Sequence, residues 1–85
     1  MVKLYLGRTA KYWVDAENVC HRLNGPAFEH YNGTKHWMQS GKWHRLDGPS
    51  IEYRNGEKIW YYQNEKINCA NQEEFERLIK LKILW

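Results

Sequence analysis

Two copies of one chemical motif stand 23 residues apart: His21-Arg22-Leu23-Asn24-Gly25-Pro26 and His44-Arg45-Leu46-Asp47-Gly48-Pro49. A guanidinium grips a carboxylate or phosphate through two parallel N–H donors. An imidazole titrates near neutrality and can move a proton. His21, Arg22, His44 and Arg45, with Asp47, therefore point to two chemistries. One is capture of an anionic ligand, with Trp43, Tyr61 and Tyr62 as rings on which a nucleobase stacks. The other is phosphodiester cleavage, with two histidines as acid and base and an arginine stabilising charge. A third reading needs no ligand. Each arginine bridges to Asn24, Asp47 or nearby turn carbonyls and holds its own connection in shape. Repetition inside one chain favours this third reading, because every unit faces the same geometric problem.

Other constellations carry less. Cys20, His21, His44 and Cys69 are metal-ligand types, yet they lack the C-x-x-C or H-x-x-x-H spacing of closed zinc sites. No metal or other cofactor is expected. Nothing marks a nucleophile or an activated carboxylate, so no catalytic residue is assigned. The chain reads as a binding protein rather than an enzyme.

The motif belongs to a longer internal repeat. Residues 21–43 laid over 44–66 give 10 identities in 23 positions, continuing through Glu29/Glu52, Asn32/Asn55, Gly33/Gly56, Lys35/Lys58 and Trp37/Trp60. Fixed-period self-similarity sets the architecture before any local reading does. Asn32-Gly33 and Asn55-Gly56 suit the positive φ angles of a type I′ hairpin turn. As two-residue turns they pair Phe28 with Trp37, His30 with Lys35, Ile51 with Trp60 and Tyr53 with Lys58 on a core face. The other face then carries Glu29 opposite His36, Glu52 opposite Ile59 and Arg54 opposite Glu57. With Tyr31, the residues Glu29, His36, Glu52, Arg54 and Ile59 form a solvated face or a partner-binding patch. Ser40-Gly41 and Gln63-Asn64 are the alternate turns, leading into short strands at about 42–44 and 65–67. Pro26 and Pro49 belong at strand starts, where a missing N–H costs nothing, and Gly25 and Gly48 let the chain bend before them.

The flanks differ from the repeats. Val2 to Leu6 and Lys11 to Asp15 read as strands of a degenerate opening unit in residues 1–20, with Tyr12-Trp13 in the place of His36-Trp37. Asn71-Gln72-Glu73-Glu74 resembles a capping box, with Asn71 as N-cap and Glu74 reaching back. A helix is predicted from about Gln72 to about Leu84, with acids early and bases late. Phe75, Leu78, Ile79, Leu81 and Trp85 give it an apolar side. It should cover the Trp face, since one sheet alone cannot bury its apolar face. The fold class is α+β: one domain, residues 1–85, an antiparallel meander of hairpin repeats closed by one C-terminal helix (71–85).

Composition narrows the partners. Five Trp and six Tyr must supply most of the buried area, because aliphatic residues are few. Thirteen basic and 10 acidic residues leave a net charge of +3, too mild for the dense basic footprint of a duplex-DNA binder. Two cysteines are too few for a disulfide framework. The start lacks the apolar region of a signal peptide, and no run of about 18 apolar residues could span a bilayer. The expectation is an intracellular protein with reduced thiols and no membrane partner. An open meander has two edge strands, and Ile83, Leu84 and Trp85 are apolar, so both features invite pairing into a homodimer.

The string W-x-x-x-G-K-x-H-R-x-D-G-P-[AS]-x-x-E-x-x-N-G-x-K-x-W resembles the repeat of small proteins encoded by tailed bacteriophages and some large viruses. The ending Asn71-Gln72-Glu73-Glu74-Phe75-Glu76-Arg77-Leu78 through Leu81-Lys82 is similar to a C-terminus that often closes such phage proteins. The resemblance covers about residues 30–85. The chain also resembles MORN-type hairpin repeats, but has His-Arg-x-Asp-Gly-Pro where those units carry His-Gly-x-Gly, so their lipid-binding roles do not transfer. What the resemblance implies is a viral origin, a hairpin-repeat fold and residence in the host cytoplasm. The function expected is a non-enzymatic accessory or anti-host-defence factor. Its partner is a host protein, or an anionic nucleotide-like molecule held by the His-Arg pairs. A phosphodiester-cleaving enzyme and a structural virion module are the alternatives.

Overall fold

The described residues run back and forth through nine short strands and then enter a helix. The elements are β1 (Lys3–Leu6), β2 (Ala10–Val14), β3 (Phe28–His30), β4 (Lys35–His36), β5 (Met38–Gln39), β6 (Lys42–Trp43), β7 (Ile51–Glu52), β8 (Lys58–Tyr62), β9 (Glu65–Ile67) and α1 (Gln72–Ile83). This is a computed structural model, and it describes residues 2–83. Leu84 and Trp85 lie outside the described residues, as does the side chain of Ile83. Seven strands form one antiparallel sheet in the order β1-β2-β3-β4-β7-β8-β9, and β5-β6 is a separate hairpin. Consecutive strands are neighbours throughout, apart from the β5-β6 excursion. The result is a slab of 38 × 30 × 17 Å, thin because a single sheet layer makes up most of it.

The Asn-Gly turns close differently from the two-residue expectation, and the difference moves every side chain. Phe28 pairs with His36 and Glu29 with Lys35. Ile51 pairs with Ile59 and Glu52 with Lys58. The loops are therefore three residues long, 31–33 and 54–56. Gly33 and Gly56 take positive φ, while Asn32 and Asn55 do not. Each Asn instead uses its side chain, with Oδ1 accepting the N–H two residues on, from Thr34 and from Glu57, both at 3.0 Å. That side-chain turn competes with the I′ geometry and wins. The pairs Phe28–Trp37, His30–Lys35, Ile51–Trp60 and Tyr53–Lys58 do not form. Neither do Glu29–His36, Glu52–Ile59 and Arg54–Glu57. One residue of slip leaves Lys35, Trp37, Lys58 and Trp60 on one face but gives them Glu29 and Glu52 as company in place of Phe28 and Ile51. Positive φ at both central residues occurs instead at Ser40-Gly41 and Gln63-Asn64, which close two-residue loops between Gln39 and Lys42 and between Tyr62 and Glu65.

With that register, Trp13, Ala27, Trp37, Ser50 and Trp60 share one face and lie in one row across the strands, joined by Trp13 N–H to Ala27 O, Trp37 N–H to Ser50 O and the β7-β8 ladder. Ala27 and Ser50 are fully buried, small residues that let the large indoles on either side approach. Beside this row runs a second of alternating charge: Lys11, Glu29, Lys35, Glu52, Lys58. The reverse face carries an aromatic chain, Tyr5–Tyr12–Phe28–His36–Trp43–Tyr61, with centroids 5.1 to 6.2 Å apart. Trp43 reaches from His36 on β4 to Tyr61 on β8, across the strand that carries buried Ile51.

The helix starts where expected. Asn71 Oδ1 accepts the Glu74 N–H at 2.9 Å, which satisfies one of the orphan donors of the first turn. The helix covers only one end of the indole row: Phe75 and Ile79 bury Trp60, with Tyr62, Ile67 and Cys69 around them. Trp13 and Trp37 are covered by something else. Phe75→Ala is expected to cost about 3–5 kcal/mol by opening this small cluster. Leu81→Ala, on the exposed side of the helix, should stay within about 0.5 kcal/mol. Urea unfolding followed by Trp fluorescence measures both.

Candidate functional site

Arginines cover the other two indoles. The Arg22 guanidinium carbon lies 3.9 Å from the Trp13 ring centroid, and that of Arg45 lies 3.8 Å from the Trp37 centroid. Both are close cation–π contacts. Behind each guanidinium stands the motif's glycine. A methyl group at Gly25 would come within 3.1 Å of the Arg22 guanidinium carbon, and one at Gly48 within 2.6 Å of that of Arg45. The chain bends at residues 23–25 and 46–48, and the glycines there also permit close approach of the arginine. Nη1 of Arg22 donates to Pro26 O, and Nη1 of Arg45 donates to Pro49 O, each at 3.2 Å. Indole, guanidinium and glycine form a three-layer stack in both motifs.

The histidines hold the turns. A two-residue I′ loop leaves its first N–H without a partner in the hairpin. His21 Nδ1 accepts that N–H from Ser40 at 2.9 Å, and His44 Nδ1 accepts it from Gln63 at 3.1 Å. The second loop N–H donates to the carbonyl just before the histidine: Gly41 to Cys20 O and Asn64 to Trp43 O. Gln63 sits at φ 46°, a region costly for a residue with a side chain, and these two bonds hold it there. Burial lowers the pKa of His44, and burial together with the nearby His30 lowers that of His36. His36 Nδ1 accepts a bond from Trp43 Nε1 at 3.0 Å.

The motifs meet in an open cleft of about 710 Å³, lined by Arg22, Arg45, His44 and Asp47, with Leu23, Leu46 and Trp37 among its walls. His21 does not line it. Neither do Trp43, Tyr61 and Tyr62. Trp43 and Tyr61 stack on each other on the reverse face, 5.1 Å apart. Tyr62 packs against the helix cluster and lies 5.2 Å from His44. The stacking platform expected beside the arginines is therefore absent from the cleft. The expected partner patch is also divided. Glu29 and Glu52 join the charged row on the indole face, and His36 and Ile59 fall on the aromatic face. Tyr31 and Arg54 stand in the three-residue loops, where Tyr31 Oη donates to Gly7 O and Arg54 N–H to Thr34 Oγ1.

The remaining cysteines are accounted for by structure. Cys20 forms an isolated bridge with Val14. Cys69 packs on the helix cluster and donates to Ile67 O at 3.6 Å. Burial pushes both thiols up, with a smaller push from Asp15 on Cys20 and from Glu74 on Cys69.

Two contributors escape motif reading. Gln72 accepts from Trp60 Nε1 at 2.8 Å and donates to Leu46 O at 2.8 Å and Glu76 at 2.9 Å. It seats the helix over Trp60 and ties it to the second motif's backbone. Its only signal in the sequence is its position, 23 residues after Pro49. Trp37 lines the cleft because the register turned it there. No family model, curated protein or solved structure matches the chain, so the site is read from its own geometry.

Gly48→Ala should displace the Arg45 guanidinium from Trp37 and cost roughly 1–2 kcal/mol, measured by urea unfolding. A second expectation concerns acid. His36 and His44 bind protons less readily folded than unfolded. Their neutral forms therefore add stability that is fully present above the unfolded value of about 6.5 and is lost as the pH falls toward the folded values. The Tm should drop between about pH 7.5 and 5. His44→Asn, which keeps a non-titrating acceptor near the Gln63 N–H, should make that drop shallower.

Proposed function

We propose that this is a non-enzymatic binding protein of bacteriophage type, an array of 23-residue hairpin units that serves as an accessory or anti-host-defence factor in the host cytoplasm. It holds the anionic part of its target, a host protein or a nucleotide-like small molecule, in the cleft between successive His-Arg motifs. The observation that supports this reading is that Arg22 and Arg45 of the two motifs line one cleft. The guanidinium groups are anchored there before any ligand arrives, so little side-chain entropy remains to be lost on binding. No helix among the described residues is long and apolar enough to cross a membrane.

Phosphodiester cleavage has less support. General acid–base chemistry needs an acid and a base within reach of one substrate. Each motif histidine lends Nδ1 to a turn N–H, and only His44 borders the cleft. Titration of labelled protein with nucleotides and short acidic peptides, beside the matching uncharged nucleosides and amides, tests the proposal. The charged members should shift amide resonances of residues 22–25 and 44–47 and be recovered intact by chromatography. Shifts confined to other residues, no response from any charged member, or turnover of a nucleotide would refute it.

A further inference from the structure

The two motifs are alike in contacts but unlike in charge. Arg45 is saturated. Its Nε donates to Asp47 at 3.0 Å, and its Nη1 donates to Glu52 at 2.8 Å and to Pro49 O. At the position of Asp47 the first motif has Asn24, which carries no charge. At the position of Glu52 it has Glu29, and that carboxylate turns to Lys11, 3.6 Å away. Arg22 thus has the same indole beneath it, the same glycine behind it and the same proline carbonyl on Nη1, yet no carboxylate partner among the described residues. Its Nε and Nη2 donors meet no protein acceptor among those residues. The guanidinium is held in place at the wall of the cleft.

We infer that Arg22 is the anchoring residue of an oxyanion subsite, and that the cleft takes one carboxylate or phosphate group at the place where Asp47 sits in the second motif. This rests on the proposed use of the cleft and says which of its two arginines binds. The protein supplies the template: the geometry by which Asp47 Oδ1 meets Arg45 Nε, 3.0 Å away, is the geometry a ligand oxygen adopts at Arg22. Charge-assisted contacts of this kind are stronger than neutral ones. Arg45 contributes little attraction, because Asp47 and Glu52 already neutralise it, and like that pair any incoming anion would have to compete with fixed carboxylates. The open guanidinium is therefore the first motif's alone.

Exchanging the two residues that differ tests the assignment. Inorganic phosphate and acetate, in separate titrations at constant ionic strength, are followed through the arginine Nε–H resonances. In the native protein the Arg22 signal should shift saturably with at least one probe while the Arg45 signal stays put, and the better probe tells phosphate from carboxylate. Asn24→Asp supplies an internal carboxylate to Arg22 and should weaken binding at least about tenfold, with a folded amide fingerprint and an undiminished Tm. Asp47→Asn should leave the Arg22 response intact and let Arg45 begin to respond. Equal responses of the two arginines in the native protein, or an Asn24→Asp protein that binds as tightly as the native one, would overturn the subsite while leaving the cleft as a binding surface. Failure of both probes to move either arginine in every variant would remove the subsite and the proposed function together.

Discussion

An indole row on one face of a sheet has to be kept from water. Guanidinium groups do the work at Trp13 and Trp37, and a helix does it at Trp60. Arginine suits the task because its planar, weakly hydrated cation lies flat on an aromatic face while its edge still donates hydrogen bonds. Much of the motif follows from this contact. The glycine must be small because the guanidinium lies against it. The proline carbonyl is needed as an acceptor at the guanidinium edge. Alanine or serine follows the proline because that position sits in the row between two indoles and is fully buried.

The histidine links one stack to the next. Its Nδ1 and the carbonyl before it take both N–H groups of a turn about 20 residues further along the chain. A turn that would otherwise leave a polar group unpaired is docked onto the preceding motif, and successive hairpins are locked in sequence. At His44 the cost is acid sensitivity, since a proton on Nδ1 turns the acceptor into a donor. Where the third motif would fall, the chain has Asn68 and Gln72 in place of Arg and Pro, and the helix replaces the arginine as the cover.

The proposed binding role rests on small departures from the repeat. A guanidinium already paired with two carboxylates offers an anion little attraction, and that of the second motif is of this kind. The first differs by one side-chain atom type at residue 24 and by the turning of Glu29 toward Lys11. Those two differences leave a rigid cation facing a cleft. A site of this sort is built by removing an internal partner, without adding any reactive group.

Local pattern determined a good deal. The Pro-free, aromatic segments, the turn residues at fixed spacing and the capped amphipathic tail specified an antiparallel meander with a terminal helix, and α1 begins at the residue that Asn71 predicts. The alternate turns at Ser40-Gly41 and Gln63-Asn64 and the likeness of Tyr12-Trp13 to His36-Trp37 were also legible. Register was not. Asn-Gly is compatible with a two-residue and a three-residue loop, and the choice depends on whether the Asn side chain bonds forward, an interaction worth too little to read from composition. Because strand side chains alternate, that single residue decided which residues of β3 and β7 share the tryptophan face and dispersed the expected partner patch. Whether the arginines stack, pair or stay unpaired was likewise settled only in three dimensions, since stacking joins Arg22 to Trp13 and Arg45 to Trp37 across strands, and the carboxylates that pair one and spare the other come from separate elements brought together by the sheet.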